Sequence, residues 1–136
     1  MLIVTSIFTA ILTLFYLVLT LRIINLRGNF KVSLGDGGVS ELQRAIRAHG
    51  NFAEYVPLGL ISLACLEANG APWWITIPLG IALMTGRVLH ALGISESSSD
   101  FKQRVRGMKI TFNTLLVMVL LNICLAISKI LSANVV

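Results

Sequence analysis

The sequence predicts an all-α integral membrane protein, built as a bundle of four helices in a single domain. Of its 136 residues, 56% are hydrophobic and only 12% are charged, and its mean hydropathy is +0.86. A soluble domain usually carries about 25% charged residues. The apolar residues form four long stretches, and a helix needs about 20 of them to cross a bilayer.

The first predicted span covers residues 2–26 and is apolar until Arg22. Because about 20 residues cross the hydrocarbon core, Arg22 and Arg27 fall where this helix leaves the membrane. The loop that follows contains Gly-Asp-Gly-Gly at 35–38. Glycine at this density predicts tight turns with positive φ.

The second predicted span covers residues 40–68. Ser40 with Gln43 three residues later predicts a capping box at its start. A helix of this length is roughly 43 Å long, so its first turns are expected in the headgroup region or in a cavity. Pro57 cannot donate to the carbonyl of Ala53, so a kink is expected there.

The third and fourth predicted spans cover residues 72–92 and 104–131. The loop before the third span is so short that spans two and three must form an antiparallel hairpin. Pro72 is a favoured first helical residue, and Trp73 and Trp74 are interpreted as anchors at the membrane interface. The loop 93–103 is rich in serine and acidic residues and is expected to be solvated.

The net charge of +5 is interpreted as a sign of membrane orientation and not of nucleic-acid binding. The basic residues concentrate in and around the first and third loops, and the second loop has none. The positive-inside rule then puts those two loops in the cytoplasm and both termini outside it. Cys65 and Cys124 are read as packing residues, and no metal-ligand spacing is present.

Four polar residues of the second span form a strip, which we call the α2 strip: Arg44, Arg47, Asn51 and Glu54. Their spacing of three, four and three puts them on one helix face. An ionisable group at membrane depth indicates a functional site. Guanidinium groups hold carboxylates and a glutamate accepts from an ammonium, so a small zwitterion would fit. An ion-pair strip that only holds helices together, with Glu54 paired to Arg47 or a neighbouring helix, is given equal weight.

Two further clusters have both a functional and a structural interpretation. Arg87 and His90 share a face of span three. They could contact a ligand, but Arg87 reaching towards the interface and His90 bonding a backbone carbonyl is the favoured reading. Near Arg106, a fixed cation could lower the pKa of a thiol, and Gly107 would allow close approach of another backbone. Lipid-headgroup anchoring is the alternative for any single arginine there. Convergence of the three clusters on one membrane face favours a site.

The stretch 47–57, which contains Arg47, Asn51, Glu54, Tyr55 and Pro57, resembles the MAPEG superfamily, the membrane-associated proteins of eicosanoid and glutathione metabolism. Arg87 with His90 is similar to that family's third-span motif, and Arg106 matches its arginine at the start of span four. The four-span layout and the length agree over nearly the whole chain. The glycine-rich loop resembles the bacterial branch.

This resemblance implies a homotrimer in a bacterial inner membrane that binds glutathione between subunits near the cytoplasmic face. Its glutathione-binding residues would be Arg27, Arg44, Arg47, His49, Asn51, Glu54, Tyr55, Arg87 and His90. Arg106 would be the catalytic residue that stabilises the glutathione thiolate, with Arg104 as the alternative position. The other partners implied are membrane lipids and a lipophilic electrophile that arrives from the bilayer.

Three departures separate the chain from eukaryotic members of the family. Ile94 replaces a tyrosine, Gly107 replaces a serine of the prostaglandin-synthase branch, and the loop before Arg106 is longer. The sequence therefore predicts a glutathione transferase, with possible peroxidase activity on lipid hydroperoxides, and makes eicosanoid chemistry doubtful. A non-catalytic protein that holds a lipid or thiol ligand is the alternative, and a small transporter is a weaker third reading.

Overall fold

A computed structural model describes residues 1–95 and 101–133, and these residues form four helices. They are α1 (Ile3–Phe30), α2 (Ser40–Ala68), α3 (Trp73–Ser95) and α4 (Phe101–Ala133). The predicted all-α membrane bundle is confirmed. Helix α2 begins and ends at the predicted residues. Helices α1 and α3 extend beyond the C-terminal ends of their predicted spans, and α4 extends beyond both ends of its predicted span.

Helices α1, α3 and α4 are each long and apolar enough to cross a membrane. Helix α2 is also long, but its first half carries Arg44, Arg47 and Glu54 among its outward residues. Its second half, from Val56 onwards, is mostly apolar. The bundle is therefore apolar over most of its length and polar where α2 starts.

Helices α2 and α3 lie at the centre of the bundle. Helix α3 packs most extensively against α4 and α2, and α1 packs against α2 and α3. The core draws side chains from all four helices: Leu12, Phe52, Leu63, Leu83 and Met118. The outward faces of α1 and α4 are exposed and apolar, as expected for surfaces that meet lipid or another subunit.

Helices α3 and α4 approach each other most closely at two glycines. A Cβ built on Gly107 would lie 2.6 Å from the backbone nitrogen of His90 and 2.7 Å from the carbonyl oxygen of Gly86. Backbone atoms within helices cannot move away cheaply, so no larger residue fits at Gly107 without shifting a helix. The close approach that the sequence predicts at Gly107 is confirmed, and it fixes α4 against the turn of α3 that carries Arg87 and His90.

A carboxylate near the end of α2 accepts hydrogen bonds from the free backbone N–H groups at the start of α1. The backbone nitrogens of Val4 and Thr5 each donate to Glu67 at 2.9 Å, and the Thr5 hydroxyl donates to it at 2.8 Å. The N-cap residue Leu2 has no side-chain acceptor to offer. A negative charge there also interacts favourably with the positive end of the helix dipole. Glu67 therefore joins the end of α2 to the start of α1.

The loop between α1 and α2 forms as expected, but the capping box does not. Gly35, Gly37 and Gly38 all have positive φ, which confirms the predicted turns. Ser40 is already the first helical residue, and Val39 takes the N-cap position without a side-chain hydrogen bond. Instead, Asp36 organises this turn: its side chain accepts from the Gly38 nitrogen at 3.0 Å and its carbonyl from Val39 at 2.9 Å.

Replacing Glu67 by alanine is expected to destabilise the protein by about 1–2 kcal/mol, the usual effect of losing a helix cap with its favourable charge. The measurement is the free energy of unfolding in detergent. Glu41→Ala is the matched control, because Glu41 makes only a 3.9 Å, partly exposed ion pair with Arg22, which is worth well under about 1 kcal/mol. Equal losses in the two variants would contradict the capping role.

Candidate functional site

The α2 strip lies on the outer face of an unbroken helix, as its spacing predicts. Arg47 and Glu54 are exposed, Arg44 and Asn51 are half-buried, and the core residues of α2 point the other way. The Asn51 side chain donates to the Arg47 carbonyl at 3.2 Å. Among the described residues, Glu54 and Arg47 form no ion pair with each other, so this form of the structural alternative is not seen.

The N-terminal end of the strip, at Arg44, opens into a pocket of about 290 Å³, which we call the arginine pocket. It is lined by Gln43, Arg44, Arg47, Ile94 and Arg104. The Nε atoms of Arg44 and Arg104 are buried and have no hydrogen-bond partner among the described residues. Guanidinium groups gathered in this way repel one another, and buried donors normally find acceptors. The pocket is therefore suited to an anion.

Arg87 supports the strip from inside the bundle. It is only 1% exposed, so it does not reach towards the interface as the structural interpretation holds. Its Nε donates to the Thr111 hydroxyl at 3.1 Å, and another nitrogen donates to the Asn51 carbonyl at 3.3 Å. Its guanidinium also lies 4.9 Å from the centre of the Tyr55 ring, a favourable cation–π distance. Arg87 thus holds Asn51 and Tyr55 from the interior of the bundle, and its own side chain is shielded from the surroundings of the protein.

His90 links α3 to the first turns of α4. Its Nδ1 lies 3.0 Å from the carbonyl oxygen of Arg104. Because a carbonyl only accepts, Nδ1 must carry the hydrogen of this bond. The expected bond between His90 and a backbone carbonyl is therefore confirmed, and it fixes the backbone of the residue whose side chain lines the arginine pocket.

Arg104 and Arg106 face different ways. Two residues of a helix are separated by about 200° around its axis, and only Arg104 lines the arginine pocket. Arg106 is exposed and lies in a separate groove with Phe101, Lys102, Val105 and Lys109. Within one chain, Arg104 is therefore the α4 arginine that meets the α2 strip.

His49 and Arg27 lie apart from the arginine pocket. His49 packs against Tyr16 of α1, with 4.5 Å between ring centres and the rings tilted by 33°, and its Nε2 is 3.1 Å from the Thr20 hydroxyl oxygen. That hydroxyl already donates to the Tyr16 carbonyl, so His49 is the donor. Arg27 donates to the Val32 carbonyl at 3.4 Å. One chain alone does not bring these two residues to the strip.

An apolar groove lies between α1 and α2, on the side of the bundle where His49 packs against Tyr16. It has a volume of about 420 Å³ and is lined by Leu12, Thr13, Tyr16, Phe52, Ala53, Val56, Pro57 and Leu60. Sequence reasoning did not identify this groove, nor Gln43, Ile94 or Thr111 as neighbours of the site. Ile94 and Thr111 carry no local signal, since they reach the site only through the packing of α3 and α4. Gln43 lies four residues before Arg47 on α2, and this spacing alone puts it beside the strip.

Comparisons with known proteins identify one matching family and similar bacterial inner membrane proteins. The model of the MAPEG family matches residues 5–124. The inner membrane protein YecN of Escherichia coli K12 is 38% identical over 120 residues, covering 88% of this chain and 90% of that protein. YecN of Escherichia coli O6:H1 matches with the same identity and coverage.

Replacing Thr111 by valine is expected to destabilise the protein by about 1–3 kcal/mol, because the buried Arg87 would lose the acceptor of its Nε–H. Thr114→Val is the matched control. Both threonines are buried on α4 and donate to the carbonyl four residues earlier, but only Thr111 also accepts from Arg87. Unfolding in detergent, compared between the two variants, measures the difference, and equal effects would show that the Arg87 bond contributes nothing.

Proposed function

The chain belongs to the MAPEG family, and we propose that it is a multi-pass inner-membrane glutathione transferase. Family members include such transferases, and the curated relatives are inner membrane proteins. The reaction is the addition of a glutathione thiolate to a lipophilic electrophile, and the second activity is the reduction of lipid hydroperoxides by glutathione. Both termini are assigned to the outer side, which leaves the arginine pocket facing the cytoplasm.

The observation that carries this proposal is the α2 strip together with the arginine pocket. Glutathione has two carboxylates, an ammonium and a thiol. Arginine forks bind carboxylates in a bidentate manner, Asn51 offers a donor and an acceptor, and the exposed Glu54 can accept from the ammonium. The bilayer would deliver the apolar co-substrate, and the groove between α1 and α2 has the apolar lining that such a molecule needs.

The chemical step requires a thiolate and a cation beside it. The thiol loses its proton to solvent, and the sulfur electron pair forms a bond to the electrophilic carbon as the leaving group departs. A free thiol has a pKa near 8.5, which a neighbouring guanidinium lowers. Arg106 is our candidate for this guanidinium. It lies on the far face of α4 from the α2 strip of its own chain, so it would act at the strip of a neighbouring copy.

A homotrimer accounts for the separation of the remaining residues. His49 and Arg27 lie on the α1 side of the bundle and the strip lies on the α4 side. A ring of identical copies in head-to-tail contact brings two such sides together at every interface. The proposed site is therefore completed by a second copy, which contributes the residues that one chain keeps apart.

A protein that binds glutathione without activating it is the second candidate. The separation of Arg106 from the arginine pocket within one chain favours it, because a thiol bound there would lie away from the guanidinium proposed to stabilise its thiolate. Titration of the detergent-purified protein with glutathione, followed by heat and by the ultraviolet absorbance of the thiolate together, separates the two. Heat with the thiolate band supports the transferase, and heat without it supports the binding protein.

Replacing Arg106 by alanine is expected to reduce the conjugation of glutathione with a chlorodinitrobenzene-type electrophile at least about 100-fold, the usual scale for losing a positioned charge. The thiolate band should disappear in parallel. Lys109→Ala is the control, since Lys109 is an exposed cation of the same groove and has no proposed role. Unchanged turnover in the Arg106 variant would remove Arg106 from the mechanism, and Arg104→Ala then tests the alternative position.

A further inference from the structure

The apolar groove between α1 and α2 has a backbone acceptor in its wall. Ala53 and Pro57 both line the groove, four residues apart on α2. Pro57 lies inside the helix and has no N–H, so the Ala53 carbonyl does not receive the usual helical hydrogen bond. We propose that this groove binds a single-chain lipid that carries a hydroxyl group, and that the Ala53 carbonyl accepts from that hydroxyl. This goes beyond the proposed function, since such a lipid binds whether or not it reacts with a thiolate.

The depth of the groove makes an unpaired carbonyl costly. Tyr16, which lines the groove, lies roughly 20 Å along α1 from Ile3, close to the middle of that helix. Water is absent at the centre of a bilayer, and each backbone group left unpaired there costs several kcal/mol. A carbonyl freed by proline in a membrane helix therefore needs a donor from a side chain or from a bound molecule.

Two side-chain hydroxyls of the groove leave this need unmet. Thr13 and Tyr16 line the groove, and neither donates to the Ala53 carbonyl within residues 1–95 and 101–133. Their own hydroxyls make no hydrogen bond in that part of the chain. The groove thus offers one acceptor and two hydroxyls in an apolar setting.

An alcohol matches these polar atoms better than other lipid head groups do. Its oxygen carries one donor for the carbonyl and lone pairs that can accept from a neighbouring hydroxyl. An ether or an ester has no donor. The lining described above contains no acidic or basic side chain, so a charged head group would be left uncompensated.

The remaining lining accommodates a hydrocarbon chain. Leu12, Phe52, Val56 and Leu60 supply apolar walls, and the volume of about 420 Å³ falls within the usual range for ligand pockets. The groove is open along one side, because Thr13, Ala53 and Pro57 are exposed. A lipid can therefore enter sideways from the bilayer without any helix moving.

The test compares two ligands that differ in the hydrogen-bond donor. Hexadecanol donates through its hydroxyl, and hexadecyl methyl ether cannot donate. We would add each to the detergent-purified protein without glutathione, at equal mole fractions in the micelle, and measure the bound fraction by native mass spectrometry. The alcohol should bind the wild type about threefold to thirtyfold more tightly than the ether, the range for one hydrogen bond inside a membrane protein.

Replacing Pro57 by alanine isolates the contribution of the carbonyl. Alanine supplies the missing N–H, so the Ala53 carbonyl regains its helical bond, and the two ligands should then bind almost equally. Pro78→Ala is the matched control, because Pro78 lies inside α3 and does not line the groove. It should leave the preference for the alcohol unchanged. Tyr16→Phe removes a hydroxyl but keeps the ring, and it should retain most of the preference.

Three results would overturn the proposal. They are equal binding of the alcohol and the ether to the wild type, no binding of either, as expected of a groove closed by a second copy, and a preference that survives in Pro57→Ala. Should that variant fail to fold, a photoreactive hexadecanol is expected to label the groove lining in the wild type, and labelling only elsewhere contradicts the proposal. Conjugation of glutathione is measured separately. A preference for the alcohol without conjugation therefore supports this site while the transferase fails.

Discussion

The contacts of the buried Arg87 guanidinium with α2 and α4 are the interactions on which the rest of the bundle depends. A charge inside a membrane protein is costly unless it is fully hydrogen-bonded or contacts other polarisable groups. Thr111, the Asn51 carbonyl and the Tyr55 ring together supply those contacts. They come from α2 and α4, so Arg87 holds three helices at one level. The close crossing at Gly86 and Gly107 makes this reach possible, because it brings α4 near enough for Thr111 to accept the bond.

This arrangement explains why the outer polar groups stay available. Asn51 and Tyr55 are fixed from the inside by Arg87, and the backbone of Arg104 is fixed by His90. The side chains of Arg44, Arg47 and Glu54 are not used in ion pairs with each other. The contacts that hold the helices together and the exposed side chains of the α2 strip thus belong to different groups on neighbouring turns, and a substitution on one side of α2 need not damage the other.

The sequence predicts the features that depend on local spacing. The bounds of α2 and the shared face of the α2 strip follow from helical periodicity, and the glycine-rich turn follows from the freedom of glycine at positive φ. The rotation of α4 is different. Arg104 and Arg106 are two residues apart and equally basic, and only the packing of α4 against α3 decides which one faces α2. Glu67 is a similar case, since its acceptors serve residues more than 60 positions away. Ser40 shows the reverse: its capping-box pattern with Gln43 is a local signal, but the capping box does not form and the turn at Asp36 takes its place.

Helix α1 is attached at both of its ends. Glu67 holds its first turn, and near the other end Arg22 donates to the carbonyl of Ser95 at 3.1 Å and lies 3.9 Å from Glu41. A helix that is free at one end adjusts to a thicker or thinner bilayer by changing its tilt alone. Since α1 is fixed at both ends, it tilts only together with α2 and α3. Hydrophobic mismatch would therefore be transmitted from α1 to the rest of the subunit.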